Sequence, residues 1–399
     1  MRRYFDNAAT SYPKPPAVTQ AMQDYFAQVH ASAGRGAYRE ALAAERMLDD
    51  CRVALARLFH CGPADHVIFT LNGTDALNLA IKGIVRPGDH VVTTSLEHNS
   101  VLRPLSALHE QAGVTWTPLP VTAETTRLEP AELARALRHE TRLVVVNHAS
   151  NVTGVLQELA PLTEICRARG VRLLVDAAQS AGHVPIDVQR LGLDLLACPG
   201  HKGLLGPLGT GVLVIRAGVE NEMRTVREGG TGSHSEQAAQ PVGLPDRFEA
   251  GSHNAVGLAG LLAGVRWINE HGVAALREHE LTLCRHLAAG LDGIEGLHWF
   301  GPRRAEERVG VFSLRLDGFE PHELSALLEG KYGILTRSGL HCAPLAHQTL
   351  GTLDSGGTTR LSLGAFTAPA DIAAAVAGLA ELHDPIAAST RRQARGERA

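Results

Sequence analysis

Five short runs in the first half of the chain are apolar without interruption and stop on polar residues. They lie in His66–Thr70, Val91–Thr94, Leu143–Val146, Leu173–Val175 and Leu195–Cys198. A strand with one face in water alternates apolar and polar residues; a continuous apolar run needs cover on both faces. Most of these runs lead into a helical pattern, as where Thr74 opens a stretch with Leu77, Ala80, Ile81 and Ile84 on one face. Strands separated by helices make a parallel sheet wrapped on both sides, an α/β fold. Gly211–Ile215 follows the Leu195 run too closely for a helical crossover, so an antiparallel neighbour is expected there.

The rest of the chain frames that sheet. Residues 1–16 read as an N-terminal arm, extended because Pro13, Pro15 and Pro16 exclude a helix. Helical patterns follow over 17–29 and 41–59, with a loop over 31–37 between them. After about residue 256 the texture changes. A long helical stretch, 255–292, precedes half-buried alternation at 309–316 and 359–363, and helical 369–382 closes the fold. This predicts a large domain over 17–255 and a smaller α+β domain over 256–388. Residues 389–399, with four arginines and no apolar run, read as a disordered tail. The chain has 399 residues and a formal net charge of −4, which gives no electrostatic case for nucleic acid or an anionic membrane. No apolar run is long enough to span a bilayer, and the first residues carry no signal-peptide pattern, so the expected compartment is the cytoplasm. The six cysteines are scattered without a C-x-x-C pair, which argues against a disulfide framework or a zinc site; no metal ligand set is expected.

The chemistry collects where strands end. The Leu195 run stops at Pro199-Gly200-His201-Lys202, and the Leu173 run at Asp176-Ala177-Ala178-Gln179. In open α/β sheets ligands gather at that carboxyl edge. A lysine there can form a Schiff base with a carbonyl cofactor, and an aspartate can pair with a pyridinium nitrogen. Each residue alone has an ordinary alternative, Lys202 as a solvated loop lysine and Asp176 as a helix cap. Gly73-Thr74 lies at a strand-to-helix junction that suits a phosphate. His98 follows the Val91 strand, where an imidazole can stack on a planar ring and move protons. Asn151 offers an amide and Arg360 a guanidinium to a substrate carboxylate. Cys342 stands in Arg337-Ser338-Gly339-Leu340-His341-Cys342-Ala343-Pro344, a loop cysteine among cations, the setting of a reactive thiolate.

Taken together and in order, these motifs resemble the class V, fold type I enzymes that use pyridoxal 5'-phosphate. Within that class the pattern is similar to the cysteine desulfurase and selenocysteine lyase group. The resemblance runs from Tyr4-Phe5-Asp6-Asn7-Ala8-Ala9-Thr10 to Thr359-Arg360-Leu361-Ser362-Leu363-Gly364. It implies a mostly parallel seven-stranded sheet in the large domain. It implies Lys202 as the lysine bound to the cofactor aldehyde, Asp176 at the ring nitrogen, Gln179 at the phenolic oxygen and His98 stacked on the ring. Gly73, Thr74 and His201 would hold the phosphate, with Ser252 of Arg247-Phe248-Glu249-Ala250-Gly251-Ser252 reaching the phosphate of a partner subunit in a homodimer. Asn151 and Arg360 would take the carboxylate of L-cysteine or L-selenocysteine. Cys342 would accept sulfur as a persulfide for an acceptor the sequence does not name, and His98 would give and take protons around that sulfur. In two places the chain departs from the group. Pro199 stands where a serine is usual, and Leu340 where the short-loop enzymes often have histidine.

Two competing readings share these residues. Another class V reaction, an aminotransferase or a different amino-acid lyase, needs the same lysine and aspartate but no nucleophile at Cys342. A non-catalytic binding protein on this fold has no use for an intact Lys202, Asp176 and Arg360.

Overall fold

The computed structural model describes residues 2–34 and 36–383, so the expected tail at 389–399 lies outside the described residues. A short strand opens the chain, β1 (Arg3–Tyr4). The large sheet is built from β2 (Val67–Thr70), β3 (His90–Thr94), β4 (Thr115–Leu119), β5 (Thr141–Asn147), β6 (Arg172–Asp176), β7 (Leu195–Pro199) and β8 (Gly211–Ile215). These seven lie in the order β2-β8-β7-β6-β5-β3-β4. β8 alone runs against the rest, antiparallel to both β7 and β2, because residues 200–210 are too few for a crossover helix.

The apolar runs lie where their sequence demands. Consecutive residues alternate between the two faces, so Ile68, Val91 and Leu143 pack in one core while Phe69, Val92 and Val144 pack in the other. The first core is closed by the helices Gly73–Ile84 and Asn99–Ala112. The second is closed by the helices Arg39–Phe59, Leu159–Ala168 and Ala255–His271.

A smaller antiparallel sheet combines β9 (Leu297–Phe300), β10 (Val311–Leu316), β12 (Arg337–Gly339) and β13 (Thr358–Ser362) in the order β12-β13-β10-β9. The helices Val273–Asp292, Pro321–Tyr332 and Pro369–His383 complete its core. The N-terminal arm belongs here too: β1 pairs in parallel with β11 (Ile334–Leu335), and Phe5 is buried in this core.

The helix that begins at the expected boundary of 255/256 packs against the large sheet. Helix Ala255–His271 buries Leu258, Leu261, Leu262, Val265 and Ile268 in the large core. The change of core falls along the next helix, whose Leu283, Leu287 and Leu291 are in the small one. The long helical stretch read from sequence is two helices that meet at Gly272, whose φ of 81° is left-handed and suits glycine.

Candidate active site

A cleft of about 240 Å³ opens at the carboxyl edge of β5, β6 and β7, where the small sheet closes over the large one. Its lining includes Gly73, Thr74, His98, Asn151, Asp176, Gln179, His201, Lys202 and Arg360, nine of the residues singled out in the sequence. They come from separate strand ends, from the start of helix Gly73–Ile84 and from β13.

Asp176 is the last residue of β6, and its Oδ1 accepts the Ala178 N–H at 2.9 Å. Burial pushes its carboxyl above the ordinary range, against the pull of that N–H and of Lys202. Burial holds the Lys202 amine down to about 8, with Asp176 acting in the other direction. Near neutrality Lys202 therefore has an accessible free-amine form. Its loop is closely fitted: a Cβ on Gly200 would collide with Thr210 Oγ1, and one on Gly203 with the Ala181 carbonyl.

Helix Gly73–Ile84 starts against the cleft, capped by Asn72, whose Oδ1 accepts the Asp75 N–H at 2.9 Å. Its positive end, with the Thr74 hydroxyl, suits an anion. Thr74 Oγ1 lies 2.7 Å from Ser100 Oγ, which lies 2.8 Å from His98 Nδ1. The Ser100 backbone N–H also donates to that Nδ1 at 3.0 Å, so the ring proton belongs on Nε2. Burial, with Lys202 and Arg337 adding to it, holds the His98 imidazole down to about 4. The ring is neutral near neutral pH and offers Nε2–H as a donor. The accepting half of the role expected for it falls on a nitrogen already engaged.

Polar groups left without partners point to an absent occupant. His201 Nδ1 and Arg360 Nε are buried and unpaired. Arg360 is 1% exposed, with Nη2 donating to Asp6 Oδ1 at 2.8 Å and Nη1 to the Asn151 carbonyl at 3.1 Å. Asn151 Nδ2 donates to the His341 carbonyl at 2.7 Å, and Gln179 Nε2 to the Ala8 carbonyl at 3.0 Å. An amine beside a carboxylate, a helix start, an unpaired imidazole nitrogen and an unpaired guanidinium nitrogen fit a carbonyl cofactor with a ring nitrogen and an anionic group, and a carboxylate substrate beside it.

Cys342 stands at the rim. It is exposed, whereas the other five cysteines are buried. Burial pushes Cys51, Cys166 and Cys284 up to about 12, which makes them poor nucleophiles. Arg337, which lines the cleft, places Nη2 3.9 Å from Cys342 Sγ. His341 and Cys342 are successive left-handed residues, φ 48° and 58°, a conformation that costs non-glycine residues energy. Two bonds help to hold it, from Asn151 Nδ2 to the His341 carbonyl and from the Asn99 N–H to the Cys342 carbonyl at 2.7 Å.

Ser252 is not in this cleft. It lines a separate depression with Arg227, His253 and Asn254. Its segment is fixed from below by a buried group in which Arg52 donates to both carboxylate oxygens of Glu249, and His253 Nε2 lies 2.5 Å from Glu249 Oε2. Ser100, Asn147, Arg337 and His341 line the main cleft without having been assigned a role from sequence. Asn147 carried a signal, a polar residue closing an apolar strand.

The N-terminal arm braces the lysine loop. The His201 carbonyl accepts from the Ser11 N–H at 3.0 Å, Thr10 Oγ1 at 3.1 Å and Lys14 Nζ at 2.7 Å. The Lys202 carbonyl accepts from Ser11 Oγ at 2.9 Å. The double variant Ser11→Ala/Lys14→Met is expected to loosen residues 200–206. At about 1 kcal/mol per bond removed, amide hydrogen exchange at Leu205 and Gly206 should accelerate roughly five- to thirtyfold. Unchanged exchange at those amides would show that the arm does not brace the loop.

The chain is similar to known proteins over most of its length. The family model described as Aminotransferase class-V matches residues 3–374. A curated protein of Methanothermobacter thermautotrophicus named "Probable cysteine desulfurase" is 35% identical over 363 residues, 90% of this chain and 89% of that protein. A "Cysteine desulfurase" of Dickeya dadantii is 32% identical over 387 residues, 95% of this chain and 92% of its own length. Among solved structures, the apo cysteine desulfurase of Thermococcus onnurineus NA1 superposes with a TM-score of 0.89 at 33% identity, covering 96% of this chain and 94% of that one. The cysteine desulfurase CsdA of Escherichia coli gives a TM-score of 0.84 at 26% identity, over 95% and 94% of the two chains.

Proposed function

The chain belongs to the class V aminotransferase family, and from that membership and the cleft we propose that it is a pyridoxal-phosphate-dependent cysteine desulfurase. It converts L-cysteine to L-alanine and leaves the sulfur on Cys342 as a persulfide. The observation that carries this reading beyond the family is Cys342 itself, the exposed cysteine, at the rim of a cleft lined by a half-buried lysine and a buried aspartate. A transaminase has no use for a nucleophile there.

Pyridoxal phosphate, when bound, makes the substrate Cα–H acidic and stores the electron pair released from it. Asp176 would hold the ring nitrogen protonated. The start of helix Gly73–Ile84, the Thr74 hydroxyl and His201 Nδ1 would receive the phosphate. Pro199 brings no hydroxyl and no N–H to that site, so these groups carry more of the binding. His98 would cover the ring with a neutral face, and Gln179 would offer its remaining amide hydrogen to the phenolic oxygen.

Arg360, through its unpaired Nε, and Asn151 hold the substrate carboxylate. Lys202 Nζ takes the proton from the substrate Cα and later returns one. Cys342 Sγ attacks the substrate sulfur, and a new S–S bond forms as the C–S bond breaks. Its electron pair stays with the carbon skeleton, which leaves as alanine after protonation. His98 Nε2–H would give a proton there. Ser252, outside the cleft of its own chain, serves the partner's phosphate in a homodimer, and the persulfide passes to a separate acceptor.

The test is turnover by the purified, cofactor-loaded protein with L-cysteine and L-selenocysteine, scoring alanine and sulfide or selenide with and without a thiol reductant. Alanine together with persulfide label on Cys342 is the expected result. A keto acid product without alanine would move the chain to transamination. Protein that stays colourless after added cofactor would leave a binding function.

A further inference from the structure

β3 and β5 pair at His90–Thr141, Val91–Leu143 and Val92–Val144, with an irregularity after His90. The backbone pairing of the two strands ends at Val92–Val144. Side chains take over the connection: Thr93 Oγ1 donates to the Val145 carbonyl at 3.0 Å, and Asn147 Nδ2 to the Leu96 carbonyl at 2.8 Å. Between them sits Glu97, wholly buried. Its Oε1 accepts from Thr94 Oγ1 at 2.6 Å on the β3 side and from the Asn147 N–H at 3.1 Å on the β5 side. The carboxyl thus links the two strands beyond their last backbone pair. It also anchors the turn whose next residue is His98, and it fixes Asn147, which lines the cleft and lies in register with Asp176.

The surroundings of Glu97 do not suit an anion. Among the described residues no lysine, arginine or histidine comes within ion-pair distance of it. Its Oε2 and the neighbouring Asn147 Oδ1 are both buried acceptors without a partner. A second carboxylate, Asp176, ends the strand beside Asn147. Two carboxylates in one buried site do not both ionise readily.

We propose that Glu97 is a positioning residue that works as a neutral carboxylic acid, bridging β3 to β5 so that His98 and Asn147 are held at the cofactor cleft while Asp176 keeps the one negative charge for the ring nitrogen. This rests on the cofactor reading given above. Burial agrees with it, raising the Glu97 carboxyl to about 8, with the charge of Asp176 adding to the effect; His98 beside it is neutral. Only the side-chain shape and the two accepted hydrogen bonds are needed, and glutamine supplies both.

The experiment compares Glu97→Gln and Glu97→Ala with the wild type in the full chain. Apoprotein is titrated with pyridoxal phosphate, the visible circular dichroism of the bound cofactor is recorded, and apoprotein unfolding is followed from pH 5 to 9. Glu97→Gln should keep the cofactor affinity within about threefold and retain the dichroic band, whereas Glu97→Ala should bind about tenfold more weakly with an altered band. The unfolding arm needs no cofactor. A carboxyl with a raised folded-state pKa favours folding below its unfolded value, and that advantage is lost as pH rises. The folding constant of the wild type relative to Glu97→Gln should fall about tenfold per pH unit between roughly 5 and 8, then level. Glu97→Gln as damaging as Glu97→Ala, or unable to fold, would mean that Glu97 acts as an anion and would overturn the proposal. Glu97→Ala with wild-type affinity and dichroism would remove its positioning role. A wild type that binds no cofactor would sink the cofactor reading instead, and the pH arm would still report the charge of Glu97.

Discussion

Cys342→Ser is expected to abolish sulfide release from L-cysteine, by about three orders of magnitude or more, while leaving the absorption of the bound cofactor unchanged. The two halves have separate causes. Cys342 is not among the residues that line the cleft, so the groups proposed to hold the cofactor keep their places. Serine accepts the same left-handed backbone at the same cost, and the bonds from Asn99 and Asn151 that hold the loop go to main-chain carbonyls, which the substitution leaves intact. What is lost is the sulfur proposed to attack. No other cysteine can replace it, because the remaining five are buried. Absorption spectra and alanine release, measured on wild type and variant side by side, check both halves. Sulfide release at the wild-type rate would remove Cys342 from the mechanism. With L-selenocysteine the leaving atom departs more easily, so residual selenide release is expected from the variant.

Lys202→Ala is expected to reduce alanine formation by about four orders of magnitude and to end covalent retention of the cofactor. The wild type treated with borohydride should gain the mass of one reduced cofactor on the peptide that carries Lys202; the variant should gain none. The half-buried setting of the lysine contributes. With its amine held down to about 8, roughly a tenth is free at pH 7, about two orders of magnitude more than for an ordinary lysine. Borohydride labelling on another lysine, or alanine formation by the variant at more than a few per cent of wild type, would place the covalent link elsewhere.

The strands of the large sheet were readable wherever both of their faces are covered. β2, β3, β5, β6, β7 and β8 are continuous apolar runs because helices lie on each side of them. β4 was not readable: it is an edge strand, Thr115-Trp116-Thr117-Pro118-Leu119, half in solvent and interrupted by a proline. β9, with only Trp299 buried among its four residues, gave equally little pattern. The break at Gly272 was hidden because both flanking segments are good helix formers, and the small residues of Ala255–His271 say nothing about which core they enter.

The amino-acid sequence by itself determined the α/β class, the antiparallel turn of β8 and the strand-end placement of Lys202 and Asp176, since each follows from local periodicity and short connections. Tertiary structure alone decided how these groups are held. It joined Asn151 to the His341 carbonyl, the N-terminal arm to the lysine loop and Glu97 to both β3 and β5. It also set Ser252 apart from the cleft and left Arg337 beside Cys342. A strand's burial is written in the spacing of its own residues, but a hydrogen bond between Asn151 and His341 depends on the packing of everything between them.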